Sequence, residues 1–222
     1  MMKILRLAIL LGGLAMTACS TSPSGSSVVP QGPGWKVSAG SAGPIRLGMS
    51  VAQVREVLDP GYRVVDPPNL QLRGQSPSGG PSESEIGGPA LHVLNDLYSV
   101  HDPSGRKILE FLTSNPANPE YPGNRIVMIS ATSPWFSTAE GVRPGNRIAE
   151  VAHIYGPASL LDSDNEGFGR EWVVFRNGPS GIRFQASQAN LGPLAGIYGA
   201  SSLTTSSFAP NAEIRALVIG RR

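Results

Sequence analysis

The chain has 222 residues, of which 27 are glycine and 20 are proline, and charged residues make up only 15%. This composition favours short strands joined by many turns over long helices. The formal net charge is +2, and Lys3 and Arg6 lie in a segment that we expect to be removed, so the mature chain is close to neutral. No basic cluster is present that could neutralise phosphates, and we therefore expect no nucleic-acid partner.

Residues 1–18 have the pattern of an export signal. Lys3 and Arg6 form a positive start, residues 7–14 are apolar, and small residues precede Cys19, the only cysteine. The pattern resembles a bacterial lipoprotein signal that is cleaved before Cys19, whose thiol then carries lipid. The alternative is an ordinary secretory signal cleaved after Ala18. The apolar run is too short for a transmembrane span, which needs about 20 residues.

The residues after Cys19 predict where the protein lies and how it is held there. Ser20 is not the aspartate that retains lipoproteins in the inner membrane of enteric bacteria, so the resemblance implies the periplasmic leaflet of the outer membrane. The inner membrane, or another position in the cell envelope, is the alternative. Residues 19–42 are rich in Ser, Gly and Pro, which predicts a flexible tether. Trp35 and Val37 interrupt this tether and are candidates for a first edge strand.

Residues 44–60 and 141–157 share one pattern, and aligning Gly48 with Gly145 gives an offset of 97 residues (145 − 48). Each copy has a glycine turn, a short amphipathic helix and a stop that contains proline. Ser50 and Gln53 form a capping box at the first helix. The predicted apolar faces consist of Val51, Val54, Val57 and Leu58 in the first helix and Ile148, Val151, Ile154 and Tyr155 in the second.

Strand patterns follow each predicted helix. A repeated pattern indicates a duplicated unit, and two such short helices need a sheet to cover their apolar faces. The sequence therefore predicts an α+β fold of two repeats, each a short helix followed by an antiparallel β-meander, packed as one or two small sheets. The repeats cover residues 43–132 and 133–222, with a disordered insert at about 66–89.

The motif at residues 45–60, apolar-x-x-Gly-Met-Ser and then a short helix, resembles the opening of the BamE (SmpA/OmlA) family of small outer-membrane lipoproteins. The duplicated layout is similar to the β-lactamase inhibitor protein, whose two repeats form a concave sheet. The residues before the second copy, 132–142, look like a lead-in found in uncharacterised bacterial lipoproteins. These motifs specify a turn and a docked helix, so the resemblance implies an architecture and no catalytic chemistry.

Catalytic and metal-binding patterns are weak. The chain lacks Gly-x-Ser-x-Gly, and none of His92, His101 and His153 lies in a zinc motif. Residues 162–167 copy the first half of a calcium loop, but Val173 stands where the bidentate glutamate is needed, which favours an acidic turn. We therefore expect no enzyme, no metal and no cofactor.

Two groups of aromatic residues are candidate sites. Trp135, Phe136 and Tyr198 are candidates for partner binding, with burial as the alternative for the first two. Trp172, Phe175 and Phe184 are candidates for a ligand pocket. We expect a membrane-anchored, periplasm-facing, non-enzymatic module that binds a periplasmic or outer-membrane protein. Binding of a small apolar or glycan ligand is the first alternative, and an enzyme of unfamiliar type is the second.

Overall fold

A computed structural model describes residues 32–67, 96–114, 123–162, 171–188, 194–200 and 202–220. Within these ranges the fold is mostly β, with two short helices, α1 (Val51–Val57) and α2 (Ile148–Tyr155). The strands are β1 (Trp35–Ser38), β2 (Ser41–Ala42), β3 (Ile45–Arg46), β4 (Arg63–Val65), β5 (Asp96–His101), β6 (Lys107–Thr113), β7 (Ile126–Ala131), β8 (Phe136–Ser137), β9 (Ala158–Asp162), β10 (Glu171–Phe175), β11 (Ile182–Gln188), β12 (Thr204–Thr205) and β13 (Ala212–Gly220).

Nine of these strands form one antiparallel sheet in the order β12-β9-β10-β11-β13-β7-β6-β5-β4. Strands β7 and β13 pair at its centre, where Leu217 lies opposite Ala131 and Ile219 lies opposite Ile129. The other four strands form a second sheet in the order β3-β2-β1-β8, in which β1 and β8 are parallel. Strands from both halves of the sequence therefore belong to each sheet.

The predicted α+β fold of two helix-plus-meander repeats is wrong, because the described chain is mostly β and forms sheets of four and nine strands. Each predicted meander followed from local strand patterns, and such patterns do not specify which strands meet. The strand β1 contains Trp35 and Val37, which were predicted as a first edge strand, but β2, β3 and β8 have only two residues each, too few for periodicity to reveal them. The second sheet was therefore missed.

The core lies on one side of the nine-stranded sheet, which we call the inner face. Both helices and the four-stranded sheet contribute buried side chains to this core. Its largest fully buried side chains include Ile45, Leu109, Phe111, Ile129, Phe136, Ile148, Leu160 and Leu217. The opposite side of the nine-stranded sheet, the outer face, carries a smaller apolar cluster of Trp172, Ala216 and Val218.

The two glycine turns dock the helices onto the sheet. Gly48 and Gly145 both have positive φ, at +81° and +90°, which favours glycine. The Gly48 amide donates to the Ile126 carbonyl, and the Gly145 amide donates to the Ile214 carbonyl, each at 2.8 Å. Each turn is thus tied directly to a strand of the nine-stranded sheet.

The helix predictions are partly confirmed. The Ser50 hydroxyl accepts from the Gln53 amide, and the Gln53 side chain accepts from the Ser50 amide, so the capping box is present. Val57 and Ile154 were predicted to face the core, but they are 39% and 51% exposed. The buried face of α2 consists of Ile148, Val151 and Tyr155, and that of α1 of Val54 alone, so Ile154 and Val57 lie outside these faces.

Strands β1 and β2 lie within the range predicted as a tether, 19–42, and Val37 and Ala42 in these strands are buried. Among the described residues, no helix has the length and apolar character needed to cross a bilayer. Several predictions fall outside the described residues: the signal at 1–18, Cys19, His92, residues 68–89 of the insert and most of the acidic turn after Asp162.

Candidate functional site

Trp172 and Arg183 form a stacked pair on the outer face. Trp172 lies opposite Gln185, and Val173 lies opposite Phe184, so strand alternation places Trp172 and Arg183 on the same side of the sheet. The guanidinium carbon of Arg183 lies 4.4 Å from the centroid of the Trp172 ring. A guanidinium over an indole is a favourable cation–π arrangement.

The pair rests on an apolar patch. Trp172, Ala216 and Val218 are buried, and the half-buried Met128 packs against them. A guanidinium N–H of Arg183 also approaches the Met128 sulfur at 3.7 Å. The Trp172 indole is 5% exposed, and its Nε1 has no hydrogen-bond partner among the described residues. A buried donor without an acceptor costs free energy.

A shallow groove of about 240 Å³ surrounds the pair. Its lining includes the exposed Leu161 and Val174 of the outer face and also Phe175 and Phe184 of the core. It is lined by Leu161, Trp172, Val173, Val174, Phe175, Gly178, Pro179, Ile182, Arg183 and Phe184.

The side chains that line this groove are apolar or are hydrogen-bond donors only. Arg183 and Trp172 supply the polar groups, and neither guanidinium nor indole can accept a hydrogen bond. The two aliphatic side chains beside them are accessible, with Leu161 36% and Val174 56% exposed. Among the described residues, the groove therefore combines apolar surface with two polar side chains, Trp172 and Arg183.

The predicted pocket residues Trp172, Phe175 and Phe184 all line the groove, but they do not form one wall. Phe175 and Phe184 belong to the core, where their rings meet edge to face at 5.2 Å and both lie within 6 Å of the Tyr155 ring. Trp172 has the opposite strand parity and faces outward. Arg183 was missed, although its alternation with Phe184 places it on the outer face.

Trp135 and Phe136 are packing residues in this structure. Trp135 is 9% exposed and its ring lies 5.4 Å from the Arg106 guanidinium carbon. Phe136 is fully buried, and its ring lies 5.3 Å from that of Trp35. Because neither ring is accessible, the structure gives them no surface for the predicted partner contact.

Tyr198 is held by a buried carboxylate. Its hydroxyl donates to Glu171 at 2.8 Å, and the Ala195 and Gly196 amides donate to the same carboxylate at 2.6 Å each. Glu171 is 3% exposed. This set of bonds fixes residues 195–198 against the sheet, and it is a structural anchor that the sequence did not reveal.

A second carboxylate, that of Asp102, organises the turn between β5 and β6. The Ser104 hydroxyl donates to it at 2.6 Å, and the backbone and side chain of Arg106 donate at 2.9 Å. The Ser104 hydrogen bond is the main cause that lowers the pKa of Asp102 to about 2; burial opposes the shift and Arg106 adds to it. His101 donates through Nδ1 to the Gly105 carbonyl at 2.9 Å and so helps to hold the turn in place.

Tyr155 connects α2 to the segment after β8. Its hydroxyl donates to Glu140 at 2.6 Å and lies 2.7 Å from the Thr138 hydroxyl. Burial, with the Glu140 hydrogen bond, raises the pKa of Tyr155 to about 12. The same hydrogen bond is the main cause that lowers the pKa of Glu140. Tyr155 is buried and Glu140 is exposed, so these hydrogen bonds join the core to the surface segment after β8.

No three His, Cys, Asp or Glu side chains of the described residues are grouped so that they could hold a metal ion. No protein-family model matches the chain, and no curated protein matches it. The crystal structure of the uncharacterized protein yfeY from Escherichia coli is similar to it, with a TM-score of 0.45 and 14% identity over 84% of this chain and 99% of that chain. This similarity says nothing about function and gives no support to a BamE-like repeat.

Proposed function

We propose that this protein is a membrane-anchored, periplasm-facing lipoprotein that acts as a non-enzymatic protein-interaction module in assembly, maintenance or inhibition at the cell envelope. The observation that carries the proposal is the Trp172–Arg183 pair on the outer face, flanked by the exposed Leu161 and Val174. Tryptophan and arginine are the residues most enriched at energetic centres of protein interfaces. An exposed apolar rim around such a pair is typical of a docking surface.

The groove is better suited to a partner's side chains than to a whole small molecule. Sites for small ligands usually enclose about 300–1,000 Å³ and bury most of the ligand. This groove has about 240 Å³ and two exposed aliphatic side chains beside it. One or two side chains of a partner protein would fill it, while the rest of the partner covers the rim.

A charge placed at the rim tests the proposed docking surface. The substitution Val174→Glu changes a residue that is 56% exposed, so we expect it to leave folding intact and to block apolar docking. Val57→Glu is the matched control, because Val57 is an exposed valine on α1, away from the outer face. Crosslinking in intact envelopes should give an adduct that Val174→Glu loses and Val57→Glu retains. Equal adducts from both variants would contradict this docking surface.

The membrane anchor is a separate part of the proposal, supported by Cys19 and the signal pattern before it. Two or three acyl chains on one cysteine would hold the protein permanently at a membrane, for which we propose the outer membrane's periplasmic leaflet. Palmitate labelling should disappear in Cys19→Ser, and separation of inner and outer membranes should place the labelled protein. Labelling that persists in Cys19→Ser would overturn the anchor.

A binding protein for a small apolar or glycan ligand is the second candidate. It is favoured by one observation, that Trp172, Phe175 and Phe184 all line the same groove. A sugar ring stacking on Trp172 would require the Arg183 guanidinium to leave the ring. A shift in melting temperature with simple sugars or alkyl glycosides that is abolished in Trp172→Ala would favour this candidate over protein docking.

A further inference from the structure

The Trp135 ring lies directly under the first residue that the structure describes. A Cβ added at Gly32 would overlap the Cγ, Cδ1 and Cδ2 atoms of the indole, so the backbone at this position lies flat on the ring. The Arg106 guanidinium carbon also lies over the ring, 5.4 Å from its centroid. The indole is 9% exposed. Only a residue without a side chain fits where Gly32 lies.

The pairing of β1 with β8 brings this part of the chain to the ring. The two strands are parallel, and Trp35 lies beside Phe136, which directs the residues before Trp35 toward Trp135. The Lys36 ammonium donates to the Ser137 hydroxyl at 3.2 Å and so ties the same two strands together.

Residues 32–34, which we call the strap, have a sequence that suits this path. Gly34 has a φ of +62°, a value that favours glycine, and it lets the chain bend between β1 and the ring. Pro33 has a restricted φ, so the strap loses less conformational freedom when it is held on the fold. Each residue of Gly32-Pro33-Gly34 thus has a physical role in placing the chain on Trp135.

We propose that Trp135 is the docking site of the chain's own tether, with the strap as its ligand. Aromatic side chains also bind extended proline-containing segments in known recognition modules. The ring that was predicted to contact a partner protein therefore binds an extended segment of the same chain, and the tether leaves the fold at Gly32.

Docking of the strap limits how far the folded part can lie from the membrane, a consequence that rests on the proposed anchor at Cys19. The 13 residue steps from Cys19 to Gly32 (32 − 19) span at most about 47 Å, against about 58 Å for the 16 steps to Trp35 (35 − 19). The strap therefore holds the docking surface of the outer face nearer to the membrane that carries the anchor.

Gly32→Val tests this docking, and Gly40→Val is the matched control. Neither glycine has a positive φ, so the two substitutions place the same side chain on backbone that accepts it. A Cβ at Gly40 meets no atom within 4 Å, whereas a Cβ at Gly32 overlaps the indole. Because Gly32 is exposed and Trp135 is packed in the core, we expect Gly32→Val to lift the strap and leave the ring in place.

The Cδ1–H group of Trp135 reports whether the strap covers the ring. The full chain, kept soluble in a mild nonionic detergent and labelled with ¹³C at Cδ1 of its three tryptophans, gives one signal for each, and Trp135→Phe identifies the relevant one. A soluble gadolinium chelate should broaden this signal about twofold more in Gly32→Val than in the wild type, because the group becomes exposed. Gly40→Val should match the wild type. Equal broadening in the wild type and Gly32→Val, or an equal increase in both variants, would overturn the inference.

A double-mutant cycle tests whether the ring itself is the cause. Gly32→Val should lower the melting temperature of the wild type by about 3 °C. The same substitution should have little effect in a Trp135→Ala background, where the ring that it overlaps is absent. An equal decrease in both backgrounds would show that the valine acts elsewhere and would contradict the docking site.

These outcomes are separate from those that test the proposed function, because the measurements need neither a partner nor acylation. If palmitate labelling persists in Cys19→Ser, the anchor and the limit on distance fail, and the docked strap stands. If the Trp135 signal does not respond to Gly32→Val, the docked strap fails, and the anchor and the docking surface stand.

Discussion

Arg183 and Trp172 are diagonal neighbours across β10 and β11, and the guanidinium carbon lies 4.4 Å from the centre of the indole ring. Diagonal pairs of this kind are within reach only of long or aromatic side chains. Arg183 is partly buried, with its Nε covered, so one residue both closes the apolar patch and gives it a charge.

Arg183→Ala should destabilise the protein by about 1–2 kcal/mol, because it removes the cation–π contact and exposes the Trp172 ring. Urea denaturation followed by circular dichroism measures the change. Arg215→Ala is the control, since Arg215 is exposed on β13, and it should stay within about 0.5 kcal/mol of the wild type. A loss of equal size in both variants would contradict a stabilising role for the stack.

Glu171→Gln should cost about 2–3 kcal/mol, because Glu171 is buried and its two oxygens accept from three donors. The amide group of glutamine would present its own N–H to a backbone N–H of Ala195 or Gly196. The free energy of unfolding in urea measures the loss. Glu150→Gln, at an exposed position on α2, should change it little. A tolerated Glu171→Gln would show that residues 195–198 do not depend on this carboxylate.

Ionisation of the Tyr155 hydroxyl should lower the stability of the folded protein at alkaline pH. Its pKa rises from 10.0 to about 12 in the folded protein, so its contribution is complete below pH 10 and is lost as the pH rises toward 12. Tyr155→Phe has no ionisable group at this position, and the stability gap between it and the wild type should narrow across this window. Urea midpoints measured from pH 8 to pH 11.5 check this, and a gap that is constant with pH would contradict it.

Protonation of the Asp102 carboxylate should lower the stability of the folded protein at acidic pH. Its pKa falls from 3.8 to about 2 in the folded protein, so its contribution is complete above the unfolded value and is lost as the pH falls toward 2. Asp102→Asn should lower the melting temperature at pH 7, and the difference from the wild type should shrink between pH 4 and pH 2. Asp66→Asn, which removes a half-exposed partner of Arg55, should show a much smaller effect.

Local features were readable from the sequence where a few neighbouring residues decide the structure. Ser50 and Gln53 satisfy each other's amides within one turn, and the capping box was predicted from those two residues. Pro103 and Gly105 stand where a type I turn favours them, and the Gly105 amide donates to the Asp102 carbonyl at 2.8 Å. Neither feature depends on distant parts of the chain.

The sheet order could not be read in this way. β7 and β13 are rich in apolar residues, and an apolar pattern does not specify a partner strand, so the whole fold decides the pairing of residues about 90 positions apart. The prediction of the site from the sequence was incomplete for a related reason. Aromatic residues were selected by type, and Arg183 was passed over because its partner, Trp172, is reached only through the register of β10 and β11.

The antiparallel pairing of β7 with β13 also limits how the chain can be divided. Leu217, Val218 and Ile219 are almost completely buried, and they face Ala131, Ser130 and Ile129 across this ladder. A fragment that ended after β7, or one that began after it, would leave one of these strands as an open apolar edge. Such edges recruit other chains and promote aggregation. The two halves of the nine-stranded sheet therefore protect each other from aggregation in the folded protein.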